Sequence, residues 1–137
     1  MRERVSCGCV GLLLSGVLIA CAASNPLSAA QARDKLRAAL GREVYTRDER
    51  DDQSRLMVDA VEQAELERLT LSEVQAALGM GNSCQASDLC REQGFRGDDV
   101  YYVIGRAADD KITRMPTLIL GFDPHGHVKR VFTMRTH

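Results

Sequence analysis

Residues 117–133 read TLILGFDPHGHVKRVFT. Two runs rich in β-branched and aromatic residues, 117–122 and 128–133, flank Asp123-Pro124-His125-Gly126. Proline suits the second position of a type I turn and glycine the left-handed position after it, so the two runs are expected to pair as an antiparallel hairpin. The first run is apolar on both faces apart from Thr117 and Gly121, whereas the second admits Lys129 and Arg130. That contrast places 117–122 at the centre of a sheet. A third strand is expected at 100–105, VYYVIG, for the same compositional reason.

Helical grammar precedes the strands. At Thr70 the side chain can cap a helix while Glu73 reaches back to the cap's amide, and Leu69 can pack on Val74, which makes both a capping box and a hydrophobic staple. Leu71, Val74 and Leu78 repeat at helical spacing, and Gly79 and Gly81 supply left-handed positions that end the run. The segment 56–69, LMVDAVEQAELERL, sets Met57, Val61, Ala64 and Leu69 along one side and Asp59, Glu62, Glu65 and Glu67 outward, so a helix is expected there too. An earlier amphipathic helix is expected over 28–40, with Ala32, Leu36 and Leu40 near one face and Gly41 as its stop. Between them, 42–55 is densely charged and reads as a solvated linker or a frayed helix. The fold class expected is α+β: N-terminal helices, then a three-stranded antiparallel meander with helices packed on one face.

The N-terminus reads differently. Arg2 and Arg4 precede an apolar stretch from Val10 to Ala20 that is too short to cross a hydrocarbon core of about 30 Å and ends in small residues, as an export signal does. Leu18-Ile19-Ala20-Cys21 resembles the lipobox of bacterial lipoproteins, in which the cysteine thiol takes the diacylglycerol. An ordinary secretory signal followed by a chance cysteine is the alternative. The expected organisation is a lipoprotein signal peptide at 1–20, a flexible tether at 21–27, a helix and charged linker at 28–55, and an α+β domain at 56–137. Ala22 follows the lipidated residue where Asp would retain a lipoprotein in the inner membrane, so the resemblance implies the periplasmic face of the outer membrane in a Gram-negative envelope. Each buried methylene contributes about 0.8 kcal/mol, so two or three acyl chains amount to a lasting membrane partner.

Removing 20 of the 137 residues leaves 117, enough for one domain, and takes two arginines and one glutamate with it, so the formal charge moves from −1 to −2. No basic excess remains to neutralise a nucleic acid's phosphates. Of the five cysteines, Cys7 and Cys9 leave with the signal and Cys21 is acylated. Cys84 and Cys90 remain, in an oxidising compartment, and a disulfide is expected to staple the turn-rich segment 82–99. Two other readings compete. A redox pair is more usually Cys-x-x-Cys, and a zinc site needs histidines that this segment lacks.

The order of elements resembles the SmpA/OmlA family, small outer-membrane lipoproteins that serve as accessories of β-barrel assembly, and the related β-lactamase-inhibitor-like fold. The residues that carry the resemblance are LERLTLSEVQAALG at 66–79, DVYYVIG at 99–105 and TLILGFDPHGHVKRV at 117–131. Where the family has Gly-Met-Thr before its helix, this chain has Arg68-Leu69-Thr70, and where the family has a proline soon after Leu-Gly it has Met80.

Chemistry-bearing residues are sparse. His125 and His127 share a turn and read as exposed imidazoles rather than metal ligands, for want of a third donor. The Asp pairs at 51–52, 98–99 and 109–110 lack the spaced oxygens of a calcium loop and read as solvated charge. Of Tyr101 and Tyr102, on opposite faces of one strand, one is expected in the core and the other outward; an amphipathic ring there can serve a protein contact, but core packing plus a chance surface tyrosine is the favoured reading. No nucleophile motif or phosphate loop is found, so neither an enzyme nor a cofactor or small-molecule substrate is expected. The function expected is a non-enzymatic, lipid-anchored interaction protein, with partners among outer-membrane assembly proteins. A protein-binding inhibitor of a periplasmic enzyme is the alternative that the inhibitor-like fold implies.

Overall fold

The computed structural model describes residues 26–136. The signal peptide, Cys21 and most of the tether lie outside the described residues. In chain order the elements are α1 (Ala29–Leu40), β1 (Glu43–Val44), α2 (Arg47–Gln63), α3 (Leu71–Leu78), β2 (Asn82–Ser83), a 3₁₀ turn (Cys84–Ala86), α4 (Asp88–Glu92), β3 (Val100–Val103), β4 (Arg106–Ala107), β5 (Thr117–Phe122) and β6 (Val128–Met134). Each of the first three helices opens on a reciprocal capping box: Ser28 with Gln31, Thr46 with Glu49, and Thr70 with Glu73. Two orphan amides are thereby satisfied at each N-terminus.

The class is α+β, but the sheet is larger than a three-stranded meander. Four antiparallel strands run in the order β2-β3-β5-β6, and β1 pairs separately with β4 in parallel. The extra members are two residues long and carry no run of apolar residues, so nothing in their composition marks them as strands. β5 is internal, as its two-sided apolarity requires, and Ile119 lies opposite both Tyr101 and Phe132. The register breaks at Gly121 and Phe122, which pair with Arg130 and Val128 and leave Lys129 as the extra residue of a bulge. At the turn, Gly126 has φ 79° and its amide donates to the Asp123 carbonyl at 3.0 Å.

Both sheet faces are covered. Val100, Tyr102, Leu118, Leu120 and Val128 meet Leu36, Met57, Ala60, Val74 and Leu78 of the helices in one core cluster, to which Leu69 also belongs. The opposite face does not lie open: Ile119 packs with Cys84, Cys90 and Phe95, and Leu89, Tyr101 and Phe132 flank them. The helices therefore take one face and the cysteine-bearing segment the other.

The charged segment 42–55 is not a linker. α2 begins at Arg47 and runs unbroken for 17 residues, with Arg50, Gln53 and Ser54 buried. These polar side chains are accommodated because each finds a partner, which removes most of the cost of desolvating it. Gln53 Nε2 donates to the Ala39 carbonyl at 2.9 Å, Ser54 Oγ accepts from the Thr136 amide at 2.9 Å, and Arg50 donates to the Thr113 carbonyl at 2.9 Å. The same helix ends at Gln63 rather than at residue 69. Glu65 and Arg68 adopt left-handed φ values of 48° and 70°, which turn the chain toward α3, and Arg33 of α1 donates to the carbonyls of Ala64 and Glu65. The segment 82–99 likewise is more than a loop, since it holds β2, the 3₁₀ turn and α4.

Candidate functional site

Cys21, the lipid-anchor residue expected from the sequence, lies outside the described residues. Where the described chain begins, the Leu27 amide donates to Gln63 Oε1 at 2.8 Å, so the domain's N-terminal end is fixed beside the C-terminus of α2. Cys84 and Cys90 stand at disulfide distance, with Cα atoms 5.6 Å apart. Both sulfurs are enclosed by the second core cluster, with Cys90 fully buried, which suits a structural bridge rather than an exchanging thiol.

The two histidines of the hairpin are exposed. Their backbone amides, not their rings, make the ordered contacts: both donate to Asp123 Oδ1, at 2.9 and 3.0 Å, while His127 Nδ1 stays 3.9 Å away. The His127 amide, helped by that of His125, holds the Asp123 carboxyl below its ordinary range. Among the described residues no three metal-donating side chains converge.

Of the tyrosine pair, one lies in the core as expected, whereas the other does not stand fully outward. Tyr102 is buried and its hydroxyl donates to the Gly79 carbonyl at 2.8 Å, with burial raising its pKa. Tyr101 is only partly exposed, because it packs at the margin of the disulfide cluster rather than standing free for a partner. Asp99 is not solvated charge either. It is buried, and its carboxylate accepts from the Arg96 amide at 2.7 Å and the Phe122 amide at 2.9 Å, so it binds the cysteine segment to β5 opposite the bulge in β6.

A basic concavity lies around the first half of α2, where Arg50, Arg114, Met134, Arg135 and Thr136 line a cleft of about 430 Å³. Arg47 and Asp48 extend its rim past Arg50. Arg50 is the fixed element: Asp51 takes its Nε and second terminal nitrogen at 3.0 Å each, and Thr113 takes the other. Asp51 also accepts from the Thr136 hydroxyl at 2.8 Å. That hydrogen bond is the largest cause of its lowered pKa, followed among the favourable causes by Arg50. Arg114 enters the cleft from a left-handed backbone position, φ 55°. The guanidinium groups of Arg47, Arg114 and Arg135 have no ion-pair or hydrogen-bond partner among the described residues. None of these residues is adjacent to the others as a motif, so the cleft has no signature in the sequence.

Compared with family models, curated proteins and solved structures, the chain matches none of them. Among the described residues no helix is long and apolar enough to cross a membrane.

Proposed function

We propose that this chain is a lipid-anchored, non-enzymatic interaction protein on the periplasmic face of the bacterial outer membrane, akin to the SmpA/OmlA accessory lipoproteins of β-barrel assembly. The observation that carries the reading is Leu18-Ile19-Ala20-Cys21 behind a short basic and apolar leader. Five residues lie between Cys21 and Leu27, a reach of at most about 22 Å, so a lipid on Cys21 keeps the start of the domain within that distance of the bilayer surface.

One feature of the backbone supports the family likeness beyond its element order. Arg68 occupies the place of the family's glycine and does so at φ 70°, a conformation that glycine adopts without strain. Its amide donates to the Val128 carbonyl at 2.8 Å and the Val128 amide returns a bond to the Leu69 carbonyl. The turn before α3 and the start of β6 are thus tied to each other through position 68 and its neighbour.

Acylation is tested by labelling cells with a radioactive fatty acid: the chain is expected to take up label, and a Cys21→Ser variant to take up none. Equal labelling of the two removes the anchor and with it the location. The interaction role is tested by crosslinking in intact cells followed by identification of what is captured. Envelope assembly proteins are the expected partners, and recovery of no envelope protein overturns the role.

A further inference from the structure

The cleft beside α2 is lined by three arginines and no carboxylate. Asp51 is matched to Arg50, and Asp48 follows Arg47 on the rim. Arg114 and Arg135 face the cleft with no carboxylate of their own among the described residues, in a protein whose formal charge is −1. Arg114 and Arg135 are exposed, so water and salt screen their mutual repulsion, and an anion that enters the cleft relieves what remains of it. Guanidinium groups present rigid donor forks suited to carboxylate and phosphate oxygens.

We infer that this cleft is a binding site for a phosphomonoester. A single carboxylate balances one of the two surplus charges, whereas a phosphomonoester carries about −1.5 to −2 at neutral pH and offers three oxygens, enough for both forks. The cavity of about 430 Å³ is much larger than a bare anion needs, one water occupying about 30 Å³, so it accommodates part of the group to which the phosphate is attached. Met134 supplies an apolar wall for that group. Arg50 forms a fixed floor, its guanidinium held and balanced by Asp51 and held by Thr113, and Arg114 and Arg135 supply the adjustable donors. The inference rests on the cleft alone and is independent of whether Cys21 is acylated.

Calorimetric titration of the full chain in nonionic detergent tests it, with glycerol 3-phosphate as a soluble phosphomonoester and dihexanoyl phosphatidic acid as a lipid one. Saturable submillimolar binding of at least one is expected. Binding of glycerol 3-phosphate identifies the phosphate group itself as the ligand, and binding of the lipid alone identifies a headgroup with its chain. An Arg114→Asn, Arg135→Gln double variant is expected to bind at least about tenfold more weakly, a difference of about 1.4 kcal/mol, with an unchanged circular dichroism spectrum. Asparagine is chosen because it tolerates the left-handed conformation at position 114. Undiminished affinity in that variant, no binding of either phosphomonoester, or equally tight binding of acetate or of dihexanoyl phosphatidylglycerol overturns the assignment.

Discussion

Gly121 lies directly under Phe95: a methyl group on its α-carbon would stand 3.1 Å from the Phe95 ring. Arg130, which pairs with Gly121, also lies over this ring, its guanidinium carbon 4.2 Å from the centroid. A glycine in a central strand, which otherwise weakens it, here admits the aromatic residue that seals the disulfide cluster onto the sheet. Gly121→Ala is therefore expected to destabilise the fold by about 1–3 kcal/mol through overpacking. Phe95→Ala removes the clash, so adding Gly121→Ala to it is expected to cost less than Gly121→Ala alone. Denaturant midpoints of the two single variants and the double variant check this, and strictly additive losses contradict the contact.

Reduction of the Cys84–Cys90 bridge, or its replacement by two serines, is expected to lower stability by about 2 kcal/mol, as for a short closed loop. The loss should concentrate in one region. Cys84 and Cys90 pack with Phe95 and Ile119, so amide exchange is expected to accelerate across 84–95 while α1 and α2 stay protected. Uniform acceleration across the domain contradicts a local staple.

Asp51 joins the C-terminal segment to α2 by accepting from Thr136 and Arg50. Its folded pKa lies below the ordinary carboxylate value, so its contribution is fully present above that value and is lost as pH falls through the depressed one. Asp51→Asn is expected to be less stable than the unaltered protein at neutral pH, and the difference should shrink on acidification below about pH 4. Thermal midpoints measured from pH 7 down to pH 2.5 decide the matter. A gap that stays constant over that range contradicts the linkage.

These sites differ in how readily they are read from residues alone. The hairpin and α3 are legible because their signals are local: a turn at Asp123–Gly126 and a capping box at Thr70 and Glu73 each lie within four residues. The first half of α2 hides behind its charge. Arg50 and Gln53 are buried because they reach the carbonyls of Thr113 and Ala39, which lie 63 and 14 positions away, and no window of sequence displays such partners. One local signal was nonetheless there, since Thr46 and Glu49 form the same capping box as Thr70 and Glu73 and mark where α2 begins. The arginine cleft is the extreme case. Its members come from α2, from the loop before β5 and from the chain beyond β6, and only the fold gathers them.

Arg68 offers a test of the turn that leads into α3. Its φ of 70° is one in which any residue with a β-carbon pays about 1–2 kcal/mol, and glycine pays almost nothing. Glycine loses about 0.5–1 kcal/mol of that advantage through the greater freedom of its unfolded chain. Arg68→Gly is therefore expected to be neutral to about 1 kcal/mol stabilising, whereas Arg68→Val, with a branched β-carbon in the same conformation, should destabilise by more than 1 kcal/mol. The side chain at this position is exposed, so neither substitution disturbs the core. Chemical denaturation of the two variants supplies the comparison. If valine were tolerated as well as glycine, position 68 would not require the left-handed turn.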